Sequence, residues 1–344
     1  MTVEPPATHP ADTAPRRRRR GGGGRDGERR MVPPATFTSY YGRPVVKASP
    51  WKADIPAYLF LGGLAAGSSL LAAGADLRNL PELRRVARIG AVAGAAAGSA
   101  ALIHDLGRPT RFLNMLRTAK PTSPMSMGTW ILATYAPLAS LAGAAEVAEM
   151  LPRRVPIAGR LLSLGARPAG LIAAMLAPAL ASYTGVLLSD TATPAWHAAR
   201  GELPLVFVAS AAASAGGFAM LGTCVEQAAP ARRMAVGGAA MALAMEAQMG
   251  RSMGLSAETL RHGTAKRLLD ASRALTIGGA LGALILGRHP RAARVSGAAL
   301  LAGAACTRFA IFEAGQESAR DPRYTVVPQR QRLDEIMDGG VRRR

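Results

Sequence analysis

Apolar and polar residues are sorted along this chain into long blocks. From residue 55 onward, runs rich in Ala, Gly and Leu and nearly free of charge recur, separated by short stretches carrying Arg, Pro and acidic residues. A helix needs ~20 apolar residues to cross a bilayer. By that measure the pattern predicts spans at 55–76, 86–104, 128–150, 168–190, 203–223, 232–250, 274–288 and 293–313, the seventh being short. The predicted fold is all-α: a polytopic transmembrane helix bundle of about eight spans over residues 51–314, followed by a polar C-terminal tail at 315–344. Residues 1–50 are rich in Arg, Pro and Gly and show no hydrophobic periodicity, so a disordered basic tail is expected there. A cleaved signal peptide is not expected, because the first apolar run starts some 35 residues after Arg20 and is long enough to span.

Eight spans place both termini on one side, termed side A, with odd-numbered spans running from A to B. Small residues recur four apart, as in Gly63 and Gly67 on the first span and Gly90, Gly94 and Gly98 on the second. That spacing lets helix backbones approach closely in lipid, where packing replaces the hydrophobic drive. No strand is predicted before these glycines, so they do not suggest a nucleotide-binding loop.

Composition sharpens this picture. The chain is 49% hydrophobic but only 5% aromatic, and its mean hydropathy of +0.14 is diluted by arginine-rich ends and by weakly scoring Ala and Gly. A formal charge of +20 and the run Arg16 to Arg20 raise the possibility of nucleic acid. The scatter of arginines through every interhelical loop instead fits lipid headgroups, so membrane lipid and no nucleic acid is the expected partner. Loop charges alone give conflicting answers on orientation, while five consecutive arginines near the N-terminus favour a cytoplasmic side A. Cys224 and Cys306 stand far apart in apolar segments, which excludes an iron–sulfur cluster held by this chain, and no metal site is expected. Of five histidines only His104 falls at a span, too few for haem ligation, so no haem is expected.

Ionisable groups near hydrocarbon are costly and so point to function. Toward side A the spans carry His104, Asp105, Trp130, Tyr183, Asp190, Glu246, Arg308 and Glu313, drawn from five helices. Glu246 and Arg308 are expected to face the interior, where they are candidates to pair with each other. Such a set of proton donors and acceptors beside apolar slots suits quinone chemistry, in which two electrons and two protons leave together. Side B offers Asp76, Glu146, Glu149 and Glu226, candidates for a proton route or for headgroup-level acids.

Five ordered segments carry a resemblance. They are Tyr58-Leu-Phe-Leu-Gly-Gly-Leu-Ala-Ala-Gly67, His104-Asp-Leu-Gly-Arg-Pro109, Pro121-Thr-Ser-Pro-Met-Ser-Met-Gly-Thr-Trp130, Tyr183-Thr-Gly-Val-Leu-Leu-Ser-Asp190 and Ala314-Gly-Gln-Glu-Ser-Ala-Arg-Asp-Pro322. In that order they resemble the quinone-reactive membrane subunits of the NrfD/polysulfide-reductase family. The resemblance implies a haem-free subunit of a complex iron–sulfur molybdoenzyme, exchanging electrons between membrane menaquinone or ubiquinone and a bound iron–sulfur subunit. A molybdopterin catalytic subunit would lie beyond. Carried over, it makes His104, Asp105, Arg108 and Tyr183 candidates for quinone binding or partner docking; by their places in or beside the spans, Asp190 joins the quinone candidates, and Glu246, Arg308, Asp76 and Glu226 are candidates for proton transfer. The loop at 105–127, with Arg111, Arg117 and Lys120, becomes the candidate docking surface. The approach to the first span departs from the family pattern: it reads Trp51-Lys-Ala-Asp-Ile-Pro56, where Asp54 is the candidate substitute for a polar or histidine ligand. A passive anchor for a soluble oxidoreductase is the alternative, with a proton-coupled secondary transporter ranked below it.

Overall fold

The computed structural model describes residues 44–150 and 156–341, so most of the expected basic tail lies outside the described residues. The helices are α1 (Asp54–Leu77), α2 (Pro81–Asp105), α3 (Arg111–Met115), α4 (Pro124–Met150), α5 (Pro156–Ser189) and α6 (Pro194–Ala198). They continue with α7 (Leu203–Gly222), α8 (Ala229–Ser252), a 3₁₀ turn at Gly254–Leu260, α9 (Gly263–Leu286), α10 (Pro290–Arg320) and α11 (Arg323–Val341). No strand occurs among the described residues.

Every predicted span corresponds to one long helix. Seven of these are long and apolar enough to cross a membrane, α5 through its portion Leu164–Ser189. The eighth, α8, has the length, and Arg232, Arg233, Glu246 and Arg251 reduce its apolar character. It runs back alongside α7 within the same bundle: Gly238 lies against Ala209 and Ala213, and Gly216 against Ala231 and Ala235. The chain is a multi-pass membrane protein.

Helix boundaries differ from the apolar blocks in an instructive direction. The second helix starts at Pro81, not 86; α9 starts at Gly263, not 274; α10 continues to Arg320, past 313. The added turns carry Arg84, Arg85, Lys266, Asp270 and Arg273, most of them paired with acids, so the helix persists where hydropathy stops. The short seventh span is thereby a helix of 24 residues. Proline in the first turn of α2, α7, α8 and α10 supports these starts, since its missing N–H falls where no intrahelical partner exists. The boundary drawn between residues 314 and 315 falls inside α10, and the segment beyond includes α11.

Adjacent spans alternate in direction. Asp54 meets His104 at one end of the α1–α2 pair, while Asp76 meets Arg84 at the other. The bundle is built around α1 and α7, which are buried along most of their length, whereas α9 faces outward. The α1 helix packs on α2, α5 and α7, and α7 joins it to α8 and α10. Glycine makes the central contact possible: a Cβ on Gly67 would sit 2.7 Å from the Ala211 carbonyl oxygen and 2.7 Å from Ala215 Cβ. With lipid outside, such close packing replaces the solvent-driven term as the source of cohesion.

Candidate functional site

Side A is assembled from the ends of all eight long helices and the short α3 and α6. Three of the sequence motifs have clear structural work there. In the first, His104 closes α2 and Gly107 follows at φ +68, a left-handed conformation that glycine adopts without a Cβ penalty and that turns the chain into the Arg108-Pro109 loop. His104 Nδ1 lies 3.0 Å from Asp54 Oδ2 at the start of α1. The imidazole is 80% exposed, so the pair sits at the mouth of the bundle and not inside it.

In the second motif, Ser126 Oγ accepts from the Lys120 N–H and donates to the Thr118 carbonyl, which also accepts from Trp130 Nε1 at 3.2 Å. These bonds fold the loop onto the start of α4. Gly128 then leaves room for the Tyr183 ring of α5, because a Cβ there would stand 2.0 Å from Tyr183 Cε2. Tyr183 is thereby buried between the two helices near side A.

The third motif, at the end of α10, ties the entrance together. Gly315 lies beneath the Trp196 indole, Gln316 Nε2 donates to the carbonyls of Ser49 and Trp51, and Ser318 Oγ accepts from the Ala195 N–H. Trp196 stacks on Trp51 with centroids 6.0 Å apart and packs against Phe312 at 5.6 Å, and its Nε1 donates to the Ile311 carbonyl. This aromatic plug fixes the segment that delivers Asp54 to His104.

The structure therefore brings His104 to Asp54 and seats Tyr183 against α4. Arg108, Arg111, Arg117, Lys120 and Asp190 are exposed on side A, and Asp105 is half-buried at the end of α2. A separate cleft of about 540 Å³ opens on the same side between the 191–200 segment, the 252–256 turn and α11, with His197, Arg200, Tyr324 and Arg332 on its walls. There Arg323 bonds the Tyr324 hydroxyl and pairs with Glu258, and burial pushes the Tyr324 phenol above its ordinary range.

Glu246 and Arg308 do not pair with each other. Glu246 is 5% exposed and accepts from Arg273 Nε at 2.6 Å. Arg308, 1% exposed, donates through Nη2 to the Phe207 carbonyl at 2.8 Å and through Nε to that of Leu59 at 3.4 Å, with its guanidinium 3.7 Å from the Phe207 ring centroid. It straps α10 to α1 and α7, its attraction to the ring face adding to the bonds. Among the described residues no carboxylate pairs with it, and Nη1 finds no partner.

Side B is organised differently. Asp76 of α1 lies 3.1 Å from Arg167, 3.5 Å from Arg84 and 3.9 Å from Arg88. Glu146 of α4 is buried and accepts from Arg84 Nε at 2.7 Å and Arg88 Nη1 at 2.9 Å. One ion network thus links α1, α2, α4 and α5. Glu226 is exposed in the α7–α8 connection, where Glu82 Oε1 accepts from the Cys224 N–H and Gln227 Oε1 from the Glu82 N–H.

Sequence reasoning missed Arg273, Arg88 and Arg167 as partners because hydropathy-drawn boundaries left Arg273 and Arg167 outside their spans, and Arg88 has no acid within four residues of it. The signal was present in the acids: Asp76, Glu146 and Glu246 each need a cation if they sit in a helix facing other helices. The buried Tyr135 of α4, which donates to the Ala65 carbonyl and shares a hydrogen bond with Ser69, was also missed.

Comparison with known proteins adds two findings. A family model described as polysulphide reductase, NrfD, matches residues 45–249, from just before α1 to the last turn of α8. No curated protein matches the chain.

Proposed function

Because the chain belongs to the NrfD polysulphide reductase family, we propose that it is a haem-free subunit of a cell-membrane oxidoreductase that exchanges electrons and protons between membrane quinone and an iron–sulfur subunit. Through that subunit it serves a molybdopterin catalytic subunit, and it has no turnover of its own. The observation that carries the reading is the Asp54–His104 contact of 3.0 Å at the side-A mouth, held there by the aromatic plug.

Quinol supplies two electrons and two protons on oxidation. With Asp54 accepting from Nδ1–H, the His104 ring presents Nε2 as a proton acceptor, and Asp54 stabilises the imidazolium that results. Asp54 takes the place of the polar or histidine ligand that the family pattern has ahead of the first span. Tyr183, wedged over Gly128, supplies a phenol that donates to a quinone oxygen, and Arg108, Asp105 and Asp190 complete the polar rim. Arg111, Arg117 and Lys120 form a basic surface beside this mouth, suited to an acidic face of the iron–sulfur subunit, which docking there would bring close to the quinone.

The test is quinol-dependent turnover of the purified complex in His104→Ala and Tyr183→Phe variants, beside dye-linked activity of the soluble subunits. General acid–base loss at His104 lowers quinol turnover by roughly 10²-fold while dye activity stays intact. Full quinol turnover in both variants removes this site. The passive-anchor reading predicts instead that electron transfer in the assembled wild-type complex does not depend on quinone.

A further inference from the structure

We infer that the half of the bundle formed by α7 to α10 contains a proton-binding site, separate from the quinone mouth, in which Glu246 and one internal water are reached from side A along α9. The first observation is a cavity of about 10 Å³ beside Glu246, walled by Ser210 of α7, Ser272 and Thr276 of α9 and Thr307 of α10. A water needs about that much room and two to four polar partners. Ser210 is 3% exposed and its Oγ has no hydrogen-bond partner in the chain. An orphaned buried hydroxyl facing a cavity that also holds a carboxylate and three further hydroxyls marks a place for an ordered water.

The surrounding bonds hold the cavity open. Ser272 Oγ and Thr307 Oγ1 bond each other at 2.7 Å, and the one that accepts in that bond donates to the Gly303 carbonyl, which lies within reach of both. A Cβ on Gly303 would stand 2.6 Å from Thr276 Oγ1, so glycine at that position leaves the threonine hydroxyl its place.

The second observation is the row of charges that leads to this site. Lys266 bonds Asp270, the Asp270 Oδ1 lies 4.0 Å from Arg273 Nη1, and Arg273 Nε donates to Glu246 Oε1 at 2.6 Å. Lys266, Asp270 and Arg273 follow one another at three- and four-residue spacing on the side-A half of α9. Side chains of this helix lean toward its N-terminus, which is the side-A end. The row therefore rises from the buried carboxylate to the side-A surface.

The chemistry follows from what each group can do. A guanidinium does not deprotonate in proteins, so Arg273 is a counter-ion and not a carrier. A proton from side-A water bonds a Glu246 carboxylate oxygen, giving the neutral acid; Arg273 then loses its partner and closes on Asp270. Release of the proton reverses both movements, and no electron is transferred. The neutral acid donates a hydrogen bond to the cavity water, which donates in turn to the Ser210 and Thr307 oxygens, so the proton stays on Glu246 until it is released to side A. At the cavity, α7 and α10 contribute hydroxyls and the apolar Val206, Ala213 and Ala304; Arg273 and Asp270 of α9 are the charged groups facing Glu246. Arg308, next to Thr307, is turned to α1 and α7, and its fixed charge bars a proton from crossing to that half.

The experiment is infrared titration of the purified complex in nanodiscs, following the carbonyl band of protonated carboxylic acid in H₂O and D₂O. The expected result is a band that grows as pH falls, shifts in D₂O and is missing in Glu246→Gln. Its midpoint moves up in Arg273→Gln, which removes the cation favouring the carboxylate, and down in Asp270→Asn, which removes the like charge, each by roughly one pH unit. The last two variants keep the inference falsifiable should Glu246→Gln fail to assemble. A spectrum unchanged by Glu246→Gln, a band that does not exchange in D₂O, or a midpoint unmoved in both α9 variants overturns the site and leaves a static ion pair. Quinol turnover measured on the same samples separates the two readings: a band retained without quinone dependence overturns the quinone reading alone, and quinone turnover without the band overturns this inference alone.

Discussion

The two ends of the bundle both carry charged groups and use them in opposite ways. On side B, Asp76 and Glu146 are enclosed by Arg84, Arg88 and Arg167, so that charges from four helices neutralise one another. On side A, His104 is exposed and holds a single acid, while Arg108, Asp190 and the basic loop face outward. Charges enclosed by several partners at once, unlike Glu246 with its single arginine, hold helices in register and have little left to exchange. Charges left open at a mouth are available to a substrate or a partner. The side-B network is thus a clamp, and the side-A set is where we place the proposed chemistry and docking.

Breaking the clamp gives the largest effect. Glu146→Ala leaves Arg84 and Arg88 without their closest acceptor, and loss of one partner from a buried ion pair costs about 3–5 kcal/mol. A large fall in the melting midpoint of the detergent-solubilised chain, or loss of assembled complex from membranes, is expected. A variant that assembles and melts like wild type would show that α1, α2, α4 and α5 are held by packing alone. A smaller effect is expected at Gly128→Ala, where the added methyl must displace the Tyr183 ring at about 1–3 kcal/mol. Here quinol turnover should fall more than stability does, since the ring is shifted while the helices stay paired. Equal losses of both would place Tyr183 with the clamp, and so blur the contrast between the two ends.

The apolar blocks were enough to locate the eight bundle helices but not the polar α11, because all but the seventh block are close to the length that crosses a bilayer. They failed at the ends of α2 and α9, where helical turns continue through charged residues such as Arg84 and Arg273 that find partners on neighbouring helices, and at the end of α10, where Gln316 and Ser318 bond neighbouring segments. Hydropathy is a property of one segment, whereas the neutralisation of Arg84 by Glu146 or of Arg273 by Glu246 is a property of two. The motifs were legible for the same reason that the helices were: each acts locally, Gly107 in its turn and Gly128 under one ring. What they do together was not. Nothing in the spacing of Asp54 and His104, or of Gln316 and Ser49, shows that α10 anchors the strap that brings an acid to the histidine. The expected Glu246–Arg308 pairing failed because Arg308 has two backbone carbonyls and an aromatic face to satisfy it, partners that sequence does not display.

The most direct test of an exchanging side A is electron transfer by the wild-type complex after its quinone has been extracted and then restored, with an optical spectrum taken for haem bands. The account predicts that transfer stops on extraction, returns on adding menaquinol or ubiquinol, and proceeds without haem bands, while dye-linked activity of the soluble subunits is constant throughout. A fully assembled complex whose electron transfer is indifferent to quinone would contradict it and leave the chain a membrane anchor.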